Sequence, residues 1–521
     1  MEQGLQRIDR PKVIVIGAGI GGLTVGALLA HRGYSVLSFD QAIVPGGCAS
    51  TFKRREFTFD VGATQVAGLE PGGIHQRIFS ELEIDLPAAT PCDPACAVFL
   101  PGETEPINVW RDPARWQAER QRQFPGSEPF WQLLSTLFQA SWRFQSRDPV
   151  LPPRNLWDLG QLIQAIRPDT LITLPFTLMT VADALKLYCL NHNLRLKTFL
   201  DLQLKLYSQV DTEATALLYA ATALGVSQVP QGLYHLEGSM QVLSDRLVAA
   251  LERDGGKLLM RHRVESIETH QGKAVAVQVR DQKTGQVWRE AADYLVANVT
   301  VQNLTQLLNW PQTEKPSSTA SQAAPWNLPQ KLYQRRIDQL PTPSGAFVIY
   351  LGVDQGAIPE DCPPHLQFFY DYSGPIGENN SLFVSVSHPG DGRAPAGQAT
   401  ITASSFTDPA PWWHCPDYEA LKQQYTETAL NRLNSYFQVD STTLRHCEAA
   451  TPRTFARFTA RDQGVVGGIG QRVPTFGPFG FANRTPVDNL WLVGDCTHPG
   501  EGTAGVSYSA LTVVRQIEAI Q

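Results

Sequence analysis

The chain has 521 residues, 43% of them hydrophobic and 18% charged, with a formal net charge of −7. That length suits two to four domains, or one large domain with insertions, and the apolar share is enough for a sizeable core. The acidic balance excludes the basic footprint of a nucleic-acid binder, since Arg54-Arg55 and Arg335-Arg336 are isolated pairs.

The first stretch with a clear design is Lys12–Asp40. A β-branched apolar run, Val13–Ile16, enters Gly17-Ala18-Gly19-Ile20-Gly21-Gly22 and then an apolar helical run, Leu23–Ala30. A turn at Arg32-Gly33 leads to a second apolar run, Tyr34–Phe39, which ends on Asp40. The order is strand, glycine turn, helix, strand, acid. Gly17 allows the sharp turn, Gly19 lets backbone approach a pyrophosphate, and Gly22 lets the helix pack close to the strand. The helix N-terminus favours negative charge, and Asp40 falls where a carboxylate accepts from ribose hydroxyls. This predicts a dinucleotide site.

Next comes Pro45-Gly46-Gly47-Cys48-Ala49-Ser50-Thr51, a loop that reads as the second half of that site, with Lys53 or Arg54 nearby. The plainer reading is a hairpin with polar caps. From about residue 75 to 225 helical spacing dominates, as in Phe130, Leu133, Leu134, Leu137 and Phe138. Leu156–Leu206 is apolar-rich and reads as an inserted helical substrate region, able to line a tunnel or rest on a lipid surface. Its longest apolar run, Leu171–Val181, contains Pro175 and falls short of the ~20 residues that span a bilayer.

A helix over Met240–Arg253 follows, then a strand at Lys257–Met260, a hairpin from Val264–Thr269 and Ala274–Arg280, and a buried strand, Tyr294–Asn298. Residues 310–345 are rich in Pro, Ser and Gln and predict an exposed connection. Phe347–Val353, Leu382–His388 and Ala399–Phe406 read as strands of a second sheet, and Asp417–Phe437 as one helix. His365, His388, His414 and His446 are scattered and read as structural or solvated, with no metal site expected. The eight cysteines are scattered too; Cys92-x-x-x-Cys96 lacks a matching Cys/His pair, and reduced thiols are expected. The opening MEQGLQRIDR has no apolar signal core. At the far end an apolar strand, Leu490–Val493, ends on Gly494-Asp495, and a glycine-rich turn, Pro499–Val506, starts the last helix.

These pieces in this order resemble the FAD-dependent amine oxidase and phytoene desaturase superfamily, along the whole chain. Arg54–Gly62 (Arg-x-x-Phe-x-Phe-Asp-Val-Gly), Thr451-Pro452-Arg453-Thr454, Gly464–Gly470 and Gly494-Asp495-x-x-x-Pro-Gly-x-Gly are similar to carotenoid desaturases and isomerases. The wording around Gly46–Phe52, Asp60–His75 and Cys496–Ala510 looks closest to the cyanobacterial-type C-3′,4′ carotenoid desaturases.

The resemblance implies an α/β fold. A discontinuous Rossmann-like FAD-binding unit (1–75, 226–300, 455–521) would carry an inserted α+β substrate unit (76–225, 301–454). It implies FAD held by Gly17, Gly19, Gly22, Asp40, Gly46, Gly47, Ser50, Thr51, Arg54, Val264, Gly494, Asp495, Gly505 and Val506. The family more often has Glu at the Asp40 position and a basic residue at the Cys48 position. It implies hydride removal from a long apolar polyene, with quinone or oxygen as the final acceptor and peripheral attachment to the cytoplasmic side of a membrane. Catalytic groups are not identified beyond Glu501 and His498, whose plainer role is structural hydrogen bonding. Two other readings share the fold: a carotene cis–trans isomerase using reduced FAD, and a non-catalytic prenyl-protein escort. The intact cofactor turns argue against the escort. A plain amine oxidase would leave the carotenoid-type wording a coincidence.

Overall fold

The computed structural model describes residues 10–310 and 328–520. Its organising element is a five-stranded parallel sheet in the order Leu490–Leu492, Tyr294–Ala297, Lys12–Ile16, Ser35–Asp40, Lys257–Met260. All four pairings are parallel. Strands covered on both faces read as continuous apolar runs, and Val13, Ile14 and Val15 at the centre are fully buried. The helix Ile20–His31 is buried from Ile20 to Ala30. It packs against the helices Thr503–Glu518 and Gln241–Arg253, so it has no polar face. Three segments far apart in sequence therefore meet at the C-terminal edge of one sheet, where ligands of such sheets bind.

A three-stranded antiparallel sheet (His262–His270, Lys273–Asp281, Val287–Ala291) flanks this unit. The other large layer is a seven-stranded sheet in the order Leu444–Ala450, Gly345–Asp354, Gln398–Thr407, Ser381–Val386, His365–Phe369, Cys96–Phe99, Ile107–Val109. Between Pro113 and Gly225 the chain is helical, and that block buries Phe130, Trp131, Phe199 and Leu200 in one cluster with Cys96 and Val98 of the sheet.

Several expectations need correction. Within the helical stretch Leu156–Leu206, Leu156–Ala165 and Leu194–Ser208 form single helices, whereas the run between them is broken into Pro168–Leu171, a 3-10 turn at Leu174–Phe176 and Val181–Leu187. Pro168 starts a new turn and Pro175 sits in the 3-10 turn, because proline lacks the N–H a continuing helix needs. The exposed connection expected over 310–345 contains a helix, Leu328–Asp338, which buries Tyr333 and Ile337; residues 311–327 lie outside the described residues, as does most of MEQGLQRIDR. The helix expected over Asp417–Phe437 runs Tyr418–Leu433, with Asp417 as its N-cap.

The histidines expected to be scattered converge in part. His235 lies 4.8 Å from His388 and 5.7 Å from His365, ring centre to ring centre. His235 Nε2 also lies 3.1 Å from Asp391 Oδ2. Arg393 ties this cluster to the first half of the chain. It donates to Asp60 Oδ2 at 3.1 and 3.0 Å and to Asp391 Oδ2 at 2.9 Å. Asp60 Oδ1 in turn accepts from the Met240 N–H at 2.8 Å. Side-chain exposure is 3% for Arg393, 5% for Asp60 and 6% for Asp391. Removing one partner of a buried ion pair strands the others without water. Arg393→Met is therefore expected to destabilise the fold by about 3–5 kcal/mol, read as a lowered denaturation midpoint.

Candidate functional site: a dinucleotide cradle opening into an apolar cavity

A single cavity of about 1010 Å³ runs along the edge of the parallel sheet. One end is lined by Gly17, Gly19, Asp40, Gly46, Gly47, Val264, Gly494, Asp495, Gly505 and Val506. These were singled out from sequence, and the fold brings them together from three regions. The first turn works only with glycine. Gly17 has φ +96°, and a Cβ on it would lie 2.6 Å from the Asn298 carbonyl oxygen. A Cβ on Gly22 would lie 2.0 Å from the Gly17 carbonyl oxygen. The Gly-Gly loop docks directly on this turn: the Gly46 N–H donates to Ala18 O at 2.7 Å. The helices starting at Ile20 and Thr503 have glycine N-caps, Gly19 and Gly502, with no side-chain cap. Their first N–H groups are left for a ligand, and both helix starts line the cavity. Two uncapped helix starts and a wall without side chains fit an extended dinucleotide diphosphate.

Asp40 lines the same end, but its carboxylate is partly engaged. Oδ2 accepts from the Ala18 N–H at 2.6 Å and Oδ1 from the Ala42 N–H at 2.7 Å. Burial raises its pKa, opposed by those two N–H groups. Each oxygen keeps acceptor capacity for a hydroxyl.

Four of the expected cofactor contacts lie off the cavity wall. Gly22 serves the packing of helix on turn. Ser50 donates its hydroxyl to Gly47 O at 2.7 Å. Thr51 lies in a strand paired with Asp60, and its N–H donates to Gln241 Oε1 at 3.1 Å. Arg54 forms a two-pronged pair with Glu448 at 2.7 and 3.0 Å, on the outside of that hairpin. The chain leaves the loop at Thr51 to form a strand, Thr51–Arg54, paired with Phe57–Asp60, so Thr51 and Arg54 bond to neighbours in the protein instead. Lys53, the other cation considered there, is exposed.

Other wall residues escaped the sequence analysis. Asn298, just past the strand Tyr294–Ala297, crowds Gly17, Gly19, Gly21 and Gly494. Asn303 and Arg461 also line the cavity. Their spacing carried no signal, because they come from a strand end, the helix Val301–Leu307 and a loop that meet only in three dimensions.

Beyond the cradle the walls turn apolar: Leu151, Leu162, Leu171, Leu174, Leu206, Leu218, Phe383 and Phe406 among them. Glu501 and His498 stand at the junction. Glu501 Oε2 accepts from Gln209 Nε2 at 3.0 Å, while Oε1 is buried without a partner. Burial pushes this carboxyl up to about 8, so it is neutral at pH 7. His498 Nε2 lies 3.0 Å from Gln145 Oε1, and burial pushes the imidazole down to about 4. It is neutral too. Among the described residues no group of His, Cys, Asp and Glu is arranged to hold a metal.

With this geometry in view, comparison with known proteins is informative. Residues 15–82 match the model of the NAD(P)-binding Rossmann-like domain. Cyclohexylamine oxidase from Brevibacterium oxydans superimposes with a TM-score of 0.60 at 16% identity, over 98% of this chain and 100% of that one. In sequence, prolycopene isomerase 2 from an Oncidium hybrid cultivar is 27% identical, over 99% of this chain and 85% of that protein. The 4,4′-diapophytoene desaturase of a Methylomonas species is 25% identical, over 96% and 93%. Fold and cradle are those of a Rossmann-like dinucleotide-binding unit within a fold shared with cyclohexylamine oxidase. Over nearly its whole length the chain is similar to carotenoid desaturases and isomerases.

The Glu501 carboxyl gives a testable sign. Its folded pKa lies above the ordinary 4.5, so the native state binds the extra proton. The stability it contributes is complete below the unfolded value and is lost as pH rises through about 8. The melting temperature of the wild type is expected to carry a falling component between roughly pH 5 and 8, and Glu501→Gln to remove that component.

Proposed function

We propose that the protein is an FAD-dependent desaturase that introduces a double bond into a long carotenoid, at the C-3′,4′ position. The observation that carries this reading is the continuity of one cavity from the dinucleotide cradle into apolar walls. A polyene has no charged handle, so its affinity must come from burial, at about 25 cal/mol per Å² of apolar surface. The FAD-binding unit is assigned to 1–75, 226–300 and 455–521, and the substrate unit to 76–225 and 301–454. Gly17, Gly19, Gly46, Gly47 and Gly494 offer backbone to the diphosphate, Asp40 and Asp495 accept from cofactor hydroxyls, and Val264 adjoins the adenine. Gly505 and Val506 place N–H groups at the flavin edge.

Bound FAD supplies the hydride acceptor. The chain does the rest. Leu206, Leu218, Phe383 and Phe406 hold the polyene and exclude water. Glu501, as the carboxylate, takes up the proton lost from the neighbouring carbon, with Gln209 Nε2 donating to its Oε2. His498, neutral and paired to Gln145, fixes the junction wall. Proton uptake needs the carboxylate, so turnover should rise with pH through about 8 and lose that rise in Glu501→Gln. The two electrons leave to a quinone or to oxygen.

The substrate's solubility requires a lipid source. Leu156, Leu174 and Leu178 are 87%, 62% and 68% exposed, with Ile163, Leu171 and Ile172 between them. Leu171 and Leu174 also line the cavity. Among the described residues no helix is long and apolar enough to cross a membrane. This face is assigned to a membrane surface on the cytoplasmic side, with the polyene passing directly from lipid into the cavity. Glutamate at positions 171, 174 and 178 together should abolish co-flotation with phospholipid vesicles and leave the fold intact.

A second reading, cis–trans isomerisation with reduced FAD, is favoured by one finding: prolycopene isomerases are among the relatives similar over nearly the full chain. Expression in cells that accumulate lycopene-like or monocyclic carotenes separates the two. A product lighter by two hydrogens supports desaturation. An isomer of unchanged mass supports isomerisation. Pigments identical to those of control cells defeat both.

A further inference from the structure

A cavity that holds a dinucleotide diphosphate must receive two negative charges beside its own carboxylates, Asp40 and Asp495. Backbone N–H groups and helix dipoles meet part of that demand, but only as partial charges. Three arginines line the cavity: Arg77, Arg263 and Arg461. Arg77 is held by Asp148 through two hydrogen bonds, at 3.0 and 2.7 Å. Arg263 is exposed on the antiparallel sheet. Arg461 differs from both.

Arg461 is built into the wall. The helix Pro452–Thr459 ends on Ala460 in the left-handed region, φ +56°, which turns the chain back toward the sheet. Asn303 then clamps the backbone on both sides of Arg461: its Nδ2 donates to Ala460 O at 3.0 Å, and its Oδ1 accepts from the Asp462 N–H at 3.2 Å. Asn303 is itself oriented by the Thr300 hydroxyl, which donates to Oδ1 at 2.7 Å. The guanidinium donates to Gly467 O at 2.5 Å and pairs with Asp495. Its side chain is 21% exposed. Burial works against its charge, but Asp495 and then Cys48 raise its pKa above the ordinary value. Burial pushes the Cys48 thiol up while Arg461 pulls it down. Arg461, Gly46, Gly47 and Cys48 all line the same cavity.

We propose that Arg461 is the cation of the cofactor cradle: it neutralises Asp495 and holds the FAD diphosphate between itself and the Gly46–Cys48 loop. Arginine suits this task, because its planar fork can keep the Gly467 and Asp495 contacts while offering a further N–H to phosphate oxygen. Cys48 brings no charge to the loop, so Arg461 supplies it.

This inference rests on the FAD site described above, and the test separates the two. The purified full-length holoprotein is diluted and FAD release is followed by the rise in flavin fluorescence, with melting by circular dichroism as a check on folding. Arg461→Gln should weaken FAD retention by about ten-fold or more. Arg461→Lys, which keeps the charge but loses the fork, should fall between it and the wild type. Cys48→Arg combined with Arg461→Gln should recover most of the loss, by returning the charge at the loop. A folded Arg461→Gln protein that holds FAD like the wild type would overturn the proposal. So would a double variant that is folded but no better than the single one. Should Arg461→Gln not fold, Arg461→Lys decides: retention equal to the wild type would overturn the role of the fork. A wild type that binds no FAD fails the cofactor assignment instead.

Discussion

Everything in this fold depends on how closely backbone can approach backbone at the start of the Ile20–His31 helix. The Gly17 carbonyl occupies the space a Gly22 side chain would need, and the Asn298 carbonyl occupies that of Gly17. The turn can therefore form only from glycine, and it forms where the central strand of the parallel sheet ends. The Gly46–Gly47 loop is hydrogen-bonded onto it, and Gly494 comes against the same Asn298 side chain. A residue of any size at Gly22 would separate the helix from the strand, and three distant pieces of chain would lose their meeting point.

That constraint also divides the labour. The cradle end is polar and tightly packed, with backbone N–H groups and acids as its chemistry. The far end is apolar and built from broken helices whose outer faces are themselves apolar. Where the two meet, burial holds both Glu501 and His498 in their neutral forms near pH 7. The desolvation that keeps water from the apolar end thus also sets the protonation of the groups beside it. The buried Asp60–Arg393–Asp391–His235 cluster joins the first hairpin to the loop between two strands of the seven-stranded sheet. The layer carrying the apolar walls is thereby tied to the layer carrying the cradle.

Much of this was legible in the residues. The glycine spacing, the β-branched run and the terminal Gly494-Asp495 each express a local backbone requirement, and such requirements leave marks in sequence. The parallel-sheet strands and the hairpin at Val264 and Ala274 were legible for the same reason. Side chains acting across space were not. Ser50, Thr51 and Arg54 sit beside the Gly-Gly loop in sequence, yet Ser50 bonds back to Gly47 and Thr51 and Arg54 enter a paired strand, so none of them lines the cavity. Asn298, Asn303 and Arg461 are unremarkable in sequence and become wall residues only when the segment after the strand Tyr294–Ala297 meets the turn at Ala460-Arg461. The helix at Leu328–Asp338 was hidden by its polar composition; its two buried apolar residues, Tyr333 and Ile337, are a helical turn apart.

The central claim is that the apolar end of the cavity presents a polyene to FAD held at the glycine end. The most direct measurement is anaerobic mixing of the FAD-loaded protein with a carotene in vesicles, followed by flavin absorbance and product mass. The account predicts bleaching of the oxidised flavin band together with a product two hydrogens lighter. A flavin that stays oxidised beside a chemically unchanged carotene, with both shown to be bound, would contradict it.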